Sequence, residues 1–167
     1  NACNLCHLNK SLAWPSRWLR TWYGSADRRG DARDESDSGD VAEGVRLTLA
    51  GDAAERVVVA ATLGEARARA ASGSDLQPAL LAELLVDPYA AVRFVAARSL
   101  RGLPGYEDLS YDFLAPSEAR AAAREDVLRR HASRAASSPS RRSPDERSEE
   151  HTSELQSPYV ISYAVFC

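Results

Sequence analysis

Leu84-Leu85-x-Asp87-Pro88-x-x-x-Val92-Arg93-x-x-Ala96-Ala97-x-x-Leu100 returns in weaker form 37 residues earlier. Arg56, Val58, Ala60 and Leu63 match Arg93, Val95, Ala97 and Leu100, and Leu47 matches Leu84. Self-similarity at one period constrains the fold, because each copy is then a unit that buries its apolar face against its neighbour. The spacing inside each copy is helical. Leu76 to Leu85 reads as an amphipathic helix capped by Asp75, with Pro78 in the tolerant first turn. Asp87 is the expected N-cap of the next helix and Pro88 its first residue. That helix buries Val92, Val95, Ala96, Ser99 and Leu100, carries Arg93, Arg98 and Arg101 toward its flanks, and ends at Gly102 and Pro104.

Helix pairs at this period resemble HEAT repeats, which implies an all-α chain of antiparallel pairs stacked as an α-solenoid. The first copy departs from the pattern, with Gly51-Asp52 where Asp-Pro is usual and Gly44 inside its first helix. Residues 40–132 form the expected repeat region, closed by a helix from Ser117 to about Ala132. Between them, residues 103–115 (LPGYEDLSYDFLA) are expected to lie over the open end of the last pair and shield it. Alternatively, Tyr106, Tyr111 and Phe113 line a partner surface.

The chemistry is concentrated elsewhere. Cys3-Asn4-Leu5-Cys6-His7 has the C-x-x-C-H form of a c-type haem attachment sequence. The short bridge lets both thiols reach one macrocycle, through a thioether to each of two vinyl groups, and carries the following histidine under the iron. A zinc half-site and a redox dithiol are the rival readings of a C-x-x-C pair. Zinc needs further ligands, and His131, His151 and Cys167 are distant and unpaired in sequence. Residues 1–24 are therefore read as a haem attachment segment: Cys3, Cys6 and His7 bind haem c, with His7 as the iron ligand.

From Leu12 to Gly24 a short helix is expected, with Trp14, Trp18 and Trp22 in one stripe about 80° wide. These rings either cover one side of a haem or pack on neighbouring protein. Residues 25–39 (SADRRGDARDESDSG) lack aliphatic side chains other than alanine and read as a flexible linker. Residues 133–146 read as a disordered Ser/Arg/Pro tail.

Both ends carry signs of their own. The chain contains no methionine, so it reads as a fragment whose beginning is missing, together with any signal peptide. Residues 147–167 resemble the in-frame translation of a short-read sequencing adapter, carried by RSEEHTSELQS and ISYAVFC, and are set aside from fold reasoning. The remainder holds 20 basic and 21 acidic residues, a net charge of −1. That balance offers no electrostatic case for nucleic acid. No apolar run approaches the ~20 residues of a membrane span.

Together, C-N-L-C-H-L, the helix ending Trp22-Tyr23-Gly24, and the pairs reading Asp87-Pro88-Tyr89-Ala90-Ala91-Val92-Arg93 and Arg98-Ser99-Leu100-Arg101-Gly102-Leu103-Pro104-Gly105 resemble the C-terminal part of bacterial multihaem c-type cytochromes with HEAT-like repeats. The resemblance covers roughly residues 1–130. It implies a periplasmic or otherwise exported electron-transfer protein, whose partners are a redox protein or other haems of the same full-length chain. With no methionine available, the sixth iron ligand is expected to be a histidine from upstream, His131 being poorly placed near a tail. No carboxylate pair, Ser/His constellation or phosphate-binding glycine loop argues for a catalytic chain. The rival class is a protein–protein interaction scaffold of HEAT-like pairs without haem, in which Cys3 and Cys6 are incidental or bind zinc.

Overall fold

The computed structural model describes residues 2–23, 41–73 and 75–137. Within them every regular element is an α-helix, in the order α1 Ala2–Cys6, α2 Ala13–Tyr23, α3 Glu43–Ala50, α4 Ala53–Leu63, α5 Ala66–Ser72, α6 Gln77–Leu84, α7 Ala90–Arg101 and α8 Ser117–Ser137. The linker over 25–39, the tail beyond Ser137 and the adapter-like segment 147–167 lie outside the described residues. Asn1–Ala132 form one compact unit. No helix among the described residues is long and apolar enough to cross a membrane.

The helical periodicity places most of the core where it was expected, although Val95 is only half-buried and its match Val58 is exposed. α3 packs on α4, α6 on α7, and α4 on α7 across the two pairs. Positions 37 apart share their environment: Leu47 with Leu84, Val59 with Ala96, Ala60 with Ala97 and Leu63 with Leu100 are all buried. α4 begins with a capping box that the sequence spells as Asp-x-x-Glu. The Asp52 carboxylate accepts the Glu55 amide, and the Glu55 carboxylate accepts the Asp52 amide, each at 2.9 Å. At Gly64, the C-cap of α4, an added Cβ would lie 2.7 Å from the Ser99 hydroxyl of α7.

Asp87 departs from its expected role. α6 starts from Leu76 as its N-cap, not from Asp75, and α7 starts from Tyr89, not from Asp87. One Asp87 oxygen closes a turn by accepting the Tyr89 amide at 2.8 Å, and the other accepts Arg56 Nε at 2.6 Å. The guanidinium of the first pair claims the carboxylate, so the helix begins two residues later. Arg56 also donates through Nη1 to Gly51 O, while Arg93 Nη1 donates to Pro88 O, the carbonyl 37 residues on. Arg93 is thus no flanking cation. It is 6% exposed and donates in addition to Asp87 O at 2.7 Å and Phe113 O at 2.8 Å.

The segment after α7 covers the end of the second pair, as expected. Leu103, Tyr106 and Leu109 are buried in the common core, Phe113 meets Phe94 edge-on at 5.3 Å, and Tyr111 donates its hydroxyl to Leu85 O. Arg101 holds the same segment through Leu109 O and Tyr111 O. α8 is fastened by a two-pronged pair from Arg124 to Glu83 and buries Val127. It continues to Ser137, five residues past the expected end at Ala132, so residues 133–137 are helical where a disordered tail was expected.

Two expected outcomes follow from these contacts. Removing one partner of a buried, hydrogen-bonded ion pair strands the other charge, so Asp87→Ala should lower unfolding stability by about 3–5 kcal/mol in urea titration. The double variant Arg56→Ala/Asp87→Ala should lose less than the sum of the single variants. Burial holds the Tyr111 phenol above its ordinary value of 10.0, with Arg93 and Arg120 opposing. A raised folded value means that this contribution is whole below about pH 10 and lost as pH climbs through the folded pKa. Tyr111→Phe should therefore flatten the alkaline fall of stability measured by chemical denaturation.

Candidate cofactor attachment site

A five-residue helix has no stability of its own, so the shape of α1 is imposed by what it lies on. The His7 amide donates to Cys3 O at 2.9 Å, carrying the helical turn as far as the histidine. At ~100° per residue, Cys6, Cys3 and His7 fall within an arc of about 100°, while Asn4 and Leu8 occupy the adjoining face. That adjoining face is the buried one, with Asn4 1% and Leu8 0% exposed. The reactive face turns outward as a consequence: Cys3 is exposed, and Cys6 and His7 are half-buried.

Three elements hold it there. Ser72, the last residue of α5, accepts the Leu8 amide at 2.9 Å and donates its hydroxyl to Cys6 O at 2.6 Å. The first amides of α3 have no partner within their own helix. They donate instead to the loop after the motif, Glu43 N to Lys10 O at 2.8 Å and Gly44 N to Leu8 O at 2.9 Å. Gly44 is required at that approach, because a Cβ would stand 2.9 Å from Leu8 O and 3.0 Å from Leu8 Cβ. Finally, Asn4 Nδ2 donates to Lys10 O and Ser11 O, both at 3.2 Å.

The tryptophan helix is where it was expected, as α2. Its three rings are used differently. Trp14 lies against the His7 imidazole, with centroids 4.9 Å apart and planes at 43°. Trp18 pairs with Trp22 at 5.7 Å. Trp22 sits eight residues past Trp14, about 12 Å further along the axis, and is 55% exposed, as Leu19 is 48% and Tyr23 77%. Trp14 and Trp18 are half-buried, and only the far end of the stripe, at Trp22, is exposed.

Among the described residues no three His, Cys, Asp or Glu side chains converge as a metal-ion site. Tetrahedral zinc requires four ligands converging on one point. Cys3, Cys6 and His7 are the two thiols and the imidazole that would hold a porphyrin through two thioethers and one iron bond. His131 lies half-buried on α8, and His151 and Cys167 are outside the described residues.

Asn4, Leu8, Gly44 and Ser72 support the motif, and none was marked as functional in the sequence. Gly44 left a signal, as a glycine interrupting a helix. Ser72 left none, being 64 residues from Leu8. Comparison of the chain with protein-family models, with curated proteins and with solved structures finds no match.

Removing the Ser72 hydroxyl leaves the Leu8 amide buried without an acceptor, a cost of about 1–3 kcal/mol. Ser72→Ala should therefore speed hydrogen exchange at the Leu8 amide by about 10- to 100-fold. Exchange in α7 should be unchanged.

Proposed function

We propose that this chain is part of a c-type cytochrome, in which a haem attachment segment is docked on HEAT-like helix pairs of an α-solenoid. Cys3 and Cys6 would hold the porphyrin by thioether bonds, and His7 would ligate its iron. Bound haem supplies one-electron oxidation and reduction. The protein's part is to hold, orient and shield. Ser72, Gly44 and Asn4 fix the backbone on both sides of His7, which limits movement of the imidazole when charge changes. Trp14 excludes water from the flank of the imidazole, and Trp18 and Trp22 extend the apolar surface on which a ring system can lie. Partners in this reading are a redox protein or further haems of the full-length chain, in a periplasmic setting where haem attachment takes place.

The observation that carries the reading is the outward face of α1, with Cys3, Cys6 and His7 on one arc and the adjoining face pinned by Asn4 and Leu8.

A second reading, a HEAT-like scaffold without haem, is favoured by a different observation. Leu49 and Val86, 37 residues apart, are both exposed aliphatic side chains, at 65% and 38%, just before the turns of successive pairs. A ridge repeated with the period of the fold is what a partner surface on stacked pairs provides.

Co-expression with a c-type haem maturation system separates the two. The cytochrome reading expects a chain heavier by one haem, with colour surviving denaturing electrophoresis. Cys3→Ser should halve the covalent links, and Cys3→Ser/Cys6→Ser should abolish attachment. A colourless product at the bare polypeptide mass leaves the scaffold.

A further inference from the structure

Asn4 keeps half of its amide unused. Its side chain is 1% exposed, and both Nδ2 hydrogens are committed, to Lys10 O and Ser11 O. Those two carbonyls fix which end of the amide is nitrogen, because an oxygen placed there would face two acceptors. The remaining oxygen, Oδ1, is buried and accepts no hydrogen bond. A buried acceptor without a donor costs about 1–3 kcal/mol, so a folded chain that retains one calls for an explanation. Bracing the loop explains Nδ2 alone.

The position suggests the missing donor. Asn4 lies three residues before His7, and side chains at that spacing are neighbours on a helix, with Cβ atoms about 5–6 Å apart. An imidazole that binds iron through one nitrogen carries a proton on the other, and a second group accepts it, fixing the tautomer and ring orientation. We propose that Asn4 Oδ1 is the acceptor for the ring N–H of iron-ligating His7, so that Asn4 is the positioning residue of this ligand. The assignment rests on the cytochrome reading above. The amide then has two tasks. Nδ2 fixes the Lys10–Ser11 loop that leads into Trp14, and Oδ1 sets the rotation of the ring that Trp14 flanks.

The test compares the haem-loaded wild-type chain with Asn4→Asp and Asn4→Ala, by solvent exchange of the ¹⁵N-labelled His7 ring N–H and by reduction potential. Both substitutions remove the two donors to Lys10 and Ser11, and only Asn4→Asp keeps an acceptor. Exchange in Asn4→Ala should be about tenfold faster than in wild type, and in Asn4→Asp it should stay slow. The potential of Asn4→Ala should rise, because the ligand donates less to iron once its N–H is no longer held. Equal exchange in wild type and Asn4→Ala overturns the assignment, and so does equally fast exchange in both variants, which is the mark of loop bracing alone. Should Asn4→Ala fail to fold, Asn4→Asp against wild type still decides: slow exchange supports the acceptor, and fast exchange overturns it. Failure of the wild-type chain to take up haem removes the parent reading together with this one. Haem uptake with unaltered exchange in Asn4→Ala removes this one alone.

Discussion

The Arg56 guanidinium joins the turn of the first helix pair to the turn of the second. It donates to Gly51 O in its own turn and to the Asp87 carboxylate in the next, with side chains only 17% and 5% exposed. Burying two opposite charges carries a desolvation penalty that their attraction alone does not always offset. Here the remaining valences are filled: the second Asp87 oxygen accepts the Tyr89 amide, and the Arg56 guanidinium lies 5.9 Å from the Tyr89 ring. The result is a contact that works in one register only. A slip of the second pair by a residue would leave a carboxylate and a guanidinium buried without each other, a larger loss than misaligning leucines against leucines.

Arg93 repeats the arrangement one pair later, with a telling difference. No further Asp-Pro turn follows, and its Nε is taken by the Phe113 carbonyl of the covering segment. A main-chain oxygen thus takes the place on Arg93 that the Asp87 carboxylate takes on Arg56. The aromatic and leucine side chains of residues 103–113 fill the space beneath, so the end of the helical array is closed by irregular backbone whose carbonyls are satisfied by Arg93 and Arg101.

Much of this architecture was legible because burial follows period. The buried positions Val92, Ala96, Ser99 and Leu100 required only helical spacing, although Val95 of the same stripe is half-buried and its match Val58 exposed, and α2, α6 and α7 fell within a residue or two of their expected limits, except at Asp87. The failures share a cause. Asp87 and Arg93 were read by local preference, as a cap and a flanking cation, while both answer to partners 31 and 20 residues away. α5 was not distinguished as an element, and its Ser72 acts on Cys6 and Leu8 through a fold that brings them together across 64 residues or more. Asp52-x-x-Glu55 spells a capping box by purely local spacing, at the place where the repeat pattern has Asp-Pro. At the site itself, the motif residues were plain in sequence, whereas the groups that aim them are tertiary.

That division bears on how a cofactor would be taken up. α1 is too short to be helical alone, and its conformation is supplied by Ser72, Gly44 and Leu8. A docked α1 therefore presents both thiols on one face before any bond forms, and an undocked one does not. Linkage then runs in both directions: a ligand that binds only the docked form stabilises the docking by the same free energy that docking adds to its binding. In the cytochrome reading, two thioether bonds closed across Cys3 and Cys6 would hold the turn in the conformation that α3 and α5 already select. Substitutions at Ser72 or Gly44 would then matter most for attachment and least for the finished protein. In the scaffold reading, the same contacts only tie a chain end to the helical array, and no such asymmetry between forming and keeping the site arises.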